Sequence, residues 1–255
     1  MNQPAPTIED RKRACLRPDA PVVMRQSWKD LLFVHWHCDT DLLQGTLPPG
    51  LRVDTFDGKA YVGFVPFLMR NIRPRFCPPV PGISNFLELN VRTYVFDEHG
   101  RPGVWFYSLD ANQALAVAVA KRFFHLPYIR ATMEAKRDGE TIHYRSQRLL
   151  EPEREWTTSS YTPGSPLAEP LPGSLEYFLL ERYLLFSWNP KKKQLYSGKV
   201  HHSPYQAYSV EVENLSPWVT YYNGLSYLDE APVHQVFSPG VDVDVFALEP
   251  VQLLE

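Results

Sequence analysis

NFLELNVRTYVF (85–96), VWFYSLDAN (104–112) and AVAVAKRFFHLPYIR (116–130) read in order as strand, strand, helix and strand. Side chains in a strand alternate between its two faces, so Glu88, Asn90, Arg92 and Tyr94 share one face of the first segment. Leu87, Leu89, Val91, Thr93 and Val95 share the other. A carboxylate, an amide, a guanidinium and a phenol in one buried row make a binding constellation, whereas the same row on a wet sheet face carries no such meaning. Asn112 to Phe124 is the clearest helix, with Asp110 or Asn112 available as a cap. Its body is so apolar that cover on more than one side is expected.

Outward from this block the pattern stays strand-like. Trp28–His37 reads as a strand, and Asp39 is placed to cap a short helix over DLLQ that Gly45 stops. Asp57-Gly58 and Asp138-Gly139 are hairpin signals, the first joining LRVDTF to KAYVGFVPFLM and the second splitting Tyr128–Arg148. Glu151–Pro172 is rich in Pro, Ser, Thr and Glu and reads as a long surface connection. A short helix over Gly173–Glu181 and strands through RYLLFSW, Gln206–Val212, Val233–Phe237 and Val241–Leu248 complete the chain, with Lys191–Lys193 at a hairpin tip. Residues 1–22 are polar and carry four prolines, so they are expected as a flexible or surface-draped tail before one domain spanning 23–255.

The 255 residues hold 14 Tyr, 14 Phe, 6 Trp and 24 Pro, which favours strands and turns over a helical bundle. Lys and Arg total 26 against 29 Asp and Glu, a net charge of -3 that offers no footprint for nucleic acid or an anionic membrane. Three cysteines without CxxC spacing, an N-terminus without an apolar signal core, and no long apolar run point to a cytoplasmic, soluble protein. The expected fold class is mainly β (α+β). The sequence leaves self-association into a homo-oligomer open.

The blocks LLFVHW (31–36), LPPGLRVDTFDGKAYVGFVPF (47–67), FLELNVRTYV (86–95), SLDAN (108–112), FHLPY (124–128), LERYLLF (180–186) and SPW (216–218) resemble, in order and spacing, the bacterial DUF2071 or YqjF-like family. The likeness covers roughly residues 25–250. It implies an acetoacetate decarboxylase-like closed β-barrel with a central cavity and a few packed helices, and it implies no activity. In the decarboxylases a reactive lysine follows a helix and a short turn, beside a second lysine that depresses its pKa. Here the matching turn, His125-Leu126-Pro127, is followed by Tyr128 and Ile129. Lys121 has a cationic neighbour in Arg122 but lies one helical stretch too early. Schiff-base chemistry is therefore not carried over.

Glu88 resembles the acidic residue of the decarboxylase pocket. In a dry barrel it would hold a raised pKa and move protons, with Tyr128 donating to a bound carbonyl. Arg92 would bind a substrate carboxylate, or pair with Glu88 in a purely structural ion pair; Asn90, Tyr94 and His125 complete the expected ligand contacts. Arg148 and Arg182 satisfy loop carbonyls, pair with acids such as Glu181, or bind an anion. His35, His37 and Asp39 share the spacing of a facial metal triad, but a half-buried strand with a satisfied histidine is the preferred reading. His201 and His202 point to opposite faces, and no metal or cofactor is expected. Small-molecule binding in the lumen, a lysine-independent lyase, isomerase or hydrolase using Glu88, and a structural interaction module are the functions left standing.

Overall fold

The computed structural model describes residues 4–151, 153–225 and 231–253. Helix α1 (Ile8–Cys15) leads to β1 (Met24–Cys38), α2 (Thr40–Thr46), β2 (Leu51–Val53), β3 (Ala60–Pro74), β4 (Phe86–Asp97) and β5 (Pro102–Ala111). Helix α3 (Ala114–Phe123) then precedes β6 (Tyr128–Asp138), β7 (Thr141–Arg148) and β8 (Thr157–Pro166). Helix α4 (Leu175–Leu180), β9 (Leu184–Asn189), β10 (Gln194–His201), β11 (Tyr208–Ser216), α5 (Trp218–Tyr222) and β12 (His234–Pro250) follow.

Pairing closes this sheet twice. One circuit runs β4–β3–β1–β12–β10–β9–β5 and returns to β4; the other leaves β5 through β6, β7, β8 and β11 to reach the same β12. The two circuits share β12, β1, β3, β4 and β5, so most shared strands have an interior on both faces. In β4 all twelve residues are buried. Its Leu87, Leu89 and Val91 pack with Met133, Tyr144 and Tyr161 inside the second circuit, which is filled by side chains. Its other face looks into the first circuit, walled by Phe33, Val65, Phe67, Leu109 and Val243. The mainly β, closed architecture expected from the sequence is present.

Several local expectations are corrected. Within the expected N-terminal tail, Thr7 and Asp10 form a capping box that starts α1. Arg11 then reaches the fully buried Asp54 through two hydrogen bonds of 2.6 and 2.8 Å, so this helix is docked rather than draped. Residues 1–3 of that tail lie outside the described residues. Thr157–Pro166, expected within a surface connection, form β8 between β7 and β11. Its Thr, Ser and Tyr residues suit a pleated strand, and Tyr161 is fully buried. The Asp57-Gly58 turn is present, with both residues at positive φ, but only the Phe56–Lys59 bridge spans it. Strand β2 pairs with β4 instead, and Asp54 continues along β4 through its N–H to the Tyr94 carbonyl. The Asp138-Gly139 hairpin and the Asp39 cap form as expected.

Helix α3 departs most from expectation. Only Val117 is buried, while Leu115, Val119 and Phe123 are exposed. Leu115, Ala116, Val119 and Ala120 line the cavity of the first circuit.

Gly240 has a φ of +129° opposite Lys29, and an added Cβ would run into the Trp28 carbonyl oxygen. Gly240→Ala is expected to cost about 2 kcal/mol, read as a lower urea midpoint at unchanged slope. An unchanged midpoint would refute the steric reading.

Candidate functional site: an apolar cavity with a polar row

The first circuit encloses a cavity of about 450 Å³, within the range of small-molecule sites. Its wall is mostly apolar, including Trp28, Phe33, Phe67, Phe106 and Leu109. Glu88, Asn90, Arg92, Tyr128, Arg182 and Tyr205 bring the polar groups. The mouth lies between α3 and the Pro-rich stretch 74–84, where Val80, Ile83, Leu115 and Val119 are exposed.

Glu88 and Tyr128 are joined across β5. Leu109 of β5 pairs with Asn90 on one side and with Tyr128 on the other, which carries the Tyr128 ring to the row on β4. The Tyr128 hydroxyl donates to Glu88 Oε2 at 2.7 Å. Burial pushes the Glu88 pKa from its ordinary value up to about 8, against the opposing pull of that hydrogen bond. Burial and the neighbouring Glu88 charge raise the Tyr128 hydroxyl well above the usual phenol range. A carboxyl raised this far is mostly protonated at neutral pH. The structural Glu88–Arg92 ion pair entertained from the sequence is absent among the described residues; the carboxyl bonds to the phenol. Tyr128→Phe removes a bond that favours the ionised carboxylate. It is expected to move the Glu88 titration, followed by carboxyl-labelled NMR, above about 8, and a downward move would refute this assignment.

Arg92 and Arg182 meet at the inner end. Helix α4 is short, and its last carbonyls lack helical partners. Arg92 Nη2 donates to the Leu179 oxygen at 3.1 Å and to the Tyr94 hydroxyl at 3.3 Å, while Arg182 Nε donates to the Phe178 oxygen at 2.7 Å. Arg182 Nη1 also bonds Asp54, the carboxylate held from the other side by Arg11. The neighbour expected for Arg182, Glu181, turns instead to the Tyr183 hydroxyl and the Tyr205 N–H. Among the described residues, three individually buried atoms of cavity-lining residues have no hydrogen-bond partner: Asn90 Oδ1, Arg92 Nε and Arg182 Nη2.

Two expected ligand contacts stand elsewhere. Tyr94 is fully buried behind the cavity wall. Its hydroxyl donates to the Leu179 oxygen at 3.0 Å and meets His35 Nε2 at 2.7 Å; His35 Nδ1 in turn meets His234 Nδ1 at 2.9 Å. This chain braces Arg92 and leaves burial to hold His35 neutral well below its ordinary pKa. His125 lies outside the lining, with Nε2 3.3 Å from Asn189 and its ring against Tyr196. Arg148 is committed to Asp110 at 3.0 Å. Lys121 is exposed, and no lysine is among the lining residues described. His35 meets the Tyr94 hydroxyl while the His37 ring lies tilted against Tyr61; no described group of His, Cys, Asp and Glu is arranged to hold a metal. Sequence reading missed Asp54, Phe33 and Tyr205. Asp54 carries no local signal, because its partner Arg182 lies 128 residues away.

The closed, mostly β architecture is an acetoacetate decarboxylase-like fold. The acetoacetate decarboxylase of Legionella pneumophila superposes with a TM-score of 0.62 at 13% identity, covering 99% of this chain and 98% of that one. The enduracididine biosynthesis enzyme MppR, solved with pyruvate, does so with a TM-score of 0.62 at 16% identity and 92% coverage of both chains. Within that class the chain belongs to DUF2071, a family of uncharacterized conserved proteins that matches residues 25–242. It is 38% identical over 216 residues to the uncharacterized protein YqjF of Bacillus subtilis (strain 168), covering 85% of this chain and 88% of that one. Among the described residues no helix is long and apolar enough to cross a membrane.

Proposed function

We propose that the chain binds a small organic molecule, with an apolar body and a carboxylate or carbonyl, inside the cavity and without Schiff-base chemistry. The observation that carries this is a largely apolar cavity of about 450 Å³ whose wall carries the side chains of Glu88, Asn90, Arg92 and Arg182. The MppR complex with pyruvate, a small keto acid, supports the reading by likeness of fold. Cys15, Cys38 and Cys77 form no disulfide, consistent with work in the cytoplasm.

Native mass spectrometry of freshly purified protein is expected to show an adduct lost on denaturation, and added carboxylates or ketones are expected to raise the melting temperature. Absence of both effects across acyl and aryl compounds would sink the proposal. Borohydride with β-keto acids is expected to leave no lysine adduct, because Lys121 is exposed and away from the lining.

A second reading is favoured by one observation. Glu88 faces the lumen with a pKa of about 8 and a phenol in contact, the arrangement of a lysine-independent proton-transfer enzyme. Glu88 would take or give the proton, and Tyr128 would orient the substrate. Deuterium exchange into a bound ketone, lost in Glu88→Gln but not in Lys121→Ala, is the expected signature; exchange unaffected by Glu88→Gln would reject it.

A further inference from the structure

We infer that the ligand is a monoanion, an apolar-bodied carboxylate whose head sits against Arg92 at the inner end while its acyl or aryl body runs out towards α3. This deepens the proposed binding function and rests on it. The reason is a charge left uncompensated. Arg92 is 8% exposed, yet among the described residues it makes no salt bridge; Nη2 bonds the Leu179 carbonyl and the Tyr94 hydroxyl, Nε has no hydrogen-bond partner, and the guanidinium lies over the Phe33 and Tyr94 rings at 5.4 and 5.5 Å, contacts that carry no opposite formal charge. Burying a cation without a counter-charge is costly, and neutral acceptors offset only part of that cost.

The acids in the vicinity do not supply the missing charge. Asp54 is shared by two arginines, Arg11 and Arg182, so that cluster is itself one positive charge in excess. Glu181 is held by Tyr183 and the Tyr205 N–H. Glu88 is bonded to Tyr128, and burial favours its neutral form. What remains at the inner wall of the cavity is the Arg92 guanidinium, without a carboxylate partner among the described residues, beside Arg182, which is paired with Asp54. A cavity-lining cation without a counter-charge calls for an anionic acceptor, and a planar carboxylate matches the guanidinium fork.

The opposite end sets the rest of the molecule. The mouth is formed by Val80, Ile83, Leu115 and Val119, all apolar and exposed, and nothing charged lines it among the described residues. A charged group would lose hydration there without gaining a partner, so the polarity gradient orients the ligand head inward. A neutral ketone would leave the charge of Arg92 unmatched.

Isothermal titration of the full chain with octanoate and 4-phenylbutyrate, against octanamide and 4-phenylbutanamide, tests this without a mutation. Each acid is expected to bind at least about tenfold more tightly than its amide, the effect of about 1.4 kcal/mol from charge-assisted hydrogen bonds. Arg92→Gln is expected to erase that preference, and Arg92→Lys to retain part of it. If the amides bind as tightly as the acids, the inference of a monoanion is overturned while the apolar-cavity reading stands. If neither acids nor amides bind, the cavity reading fails and the inference with it. The acid–amide comparison on the unmodified protein decides the matter even if an Arg92 variant does not fold.

Discussion

Glu88→Gln is expected to make the protein more stable than the parent at pH 8.5 and about equally stable at pH 4. In the folded chain burial raises the Glu88 pKa to about 8, while in the unfolded chain it titrates near its ordinary value. Between these two values the folded state holds a proton that the unfolded state has released, so stability falls as pH rises. The proton-linked contribution is fully present below the unfolded pKa and gone above about 8. A group displaced this far carries on the order of a few kcal/mol across that window. Glutamine keeps an acceptor for the Tyr128 hydroxyl and cannot ionise, so this decline is removed. Urea midpoints measured from pH 4 to 9 should diverge on the alkaline side, and parallel curves for parent and variant would show that Glu88 titrates normally. The measurement also bears on catalysis, because only a carboxyl with this proton affinity can serve as a neutral acid near pH 7.

The largest loss of stability is expected at Asp54. Its carboxylate is fully buried and accepts from Arg11 at 2.6 and 2.8 Å and from Arg182 at 2.8 Å. Asp54→Ala leaves the 7% exposed Arg182 without a counter-charge, a change that costs about 3–5 kcal/mol. Asp54→Ala with Arg182→Met should cost much less than the sum of the single changes, because the second removes the stranded cation. Additivity of the two in denaturant unfolding would mean that the buried pair is not coupled. Arg11→Met should cost less than Asp54→Ala, since Arg182 still neutralises the carboxylate. Arg182 lines the cavity, so Asp54 and α1 set the inner wall from a distance, and Arg11→Met should also weaken ligand binding.

The alternation in residues 86–95, the two Asp-Gly turns and the Asp39 cap were legible because each depends on neighbours only a few positions away. The likeness of LLFVHW, RTYV, SLDAN and FHLPY to DUF2071 extended that local reading to a closed sheet. Other features misled for the same local reason. The apolar body of α3 looked like a helix to be covered, and it instead borders the cavity. The polar composition around Thr157–Pro166 looked like a loop, and β7 and β11 on either side recruit it as a strand.

By itself, the sequence determined that Glu88, Asn90 and Arg92 share one face of a strand, and that no lysine follows Pro127 where the decarboxylase pattern needs one. It could not determine which face of that strand meets the lumen, since β4 is buried on both sides and either face could have been the packed one. Nor could it pair Glu88 with Tyr128 or strand Arg92 without a carboxylate. Alternation is a property of one strand and follows from backbone geometry alone. The choice of interior, and the partner of each buried charge, depends on closure of the sheet through residues tens to more than a hundred positions apart. Only the tertiary structure makes those contacts, and they leave Arg92 as the unpaired charge at the inner wall.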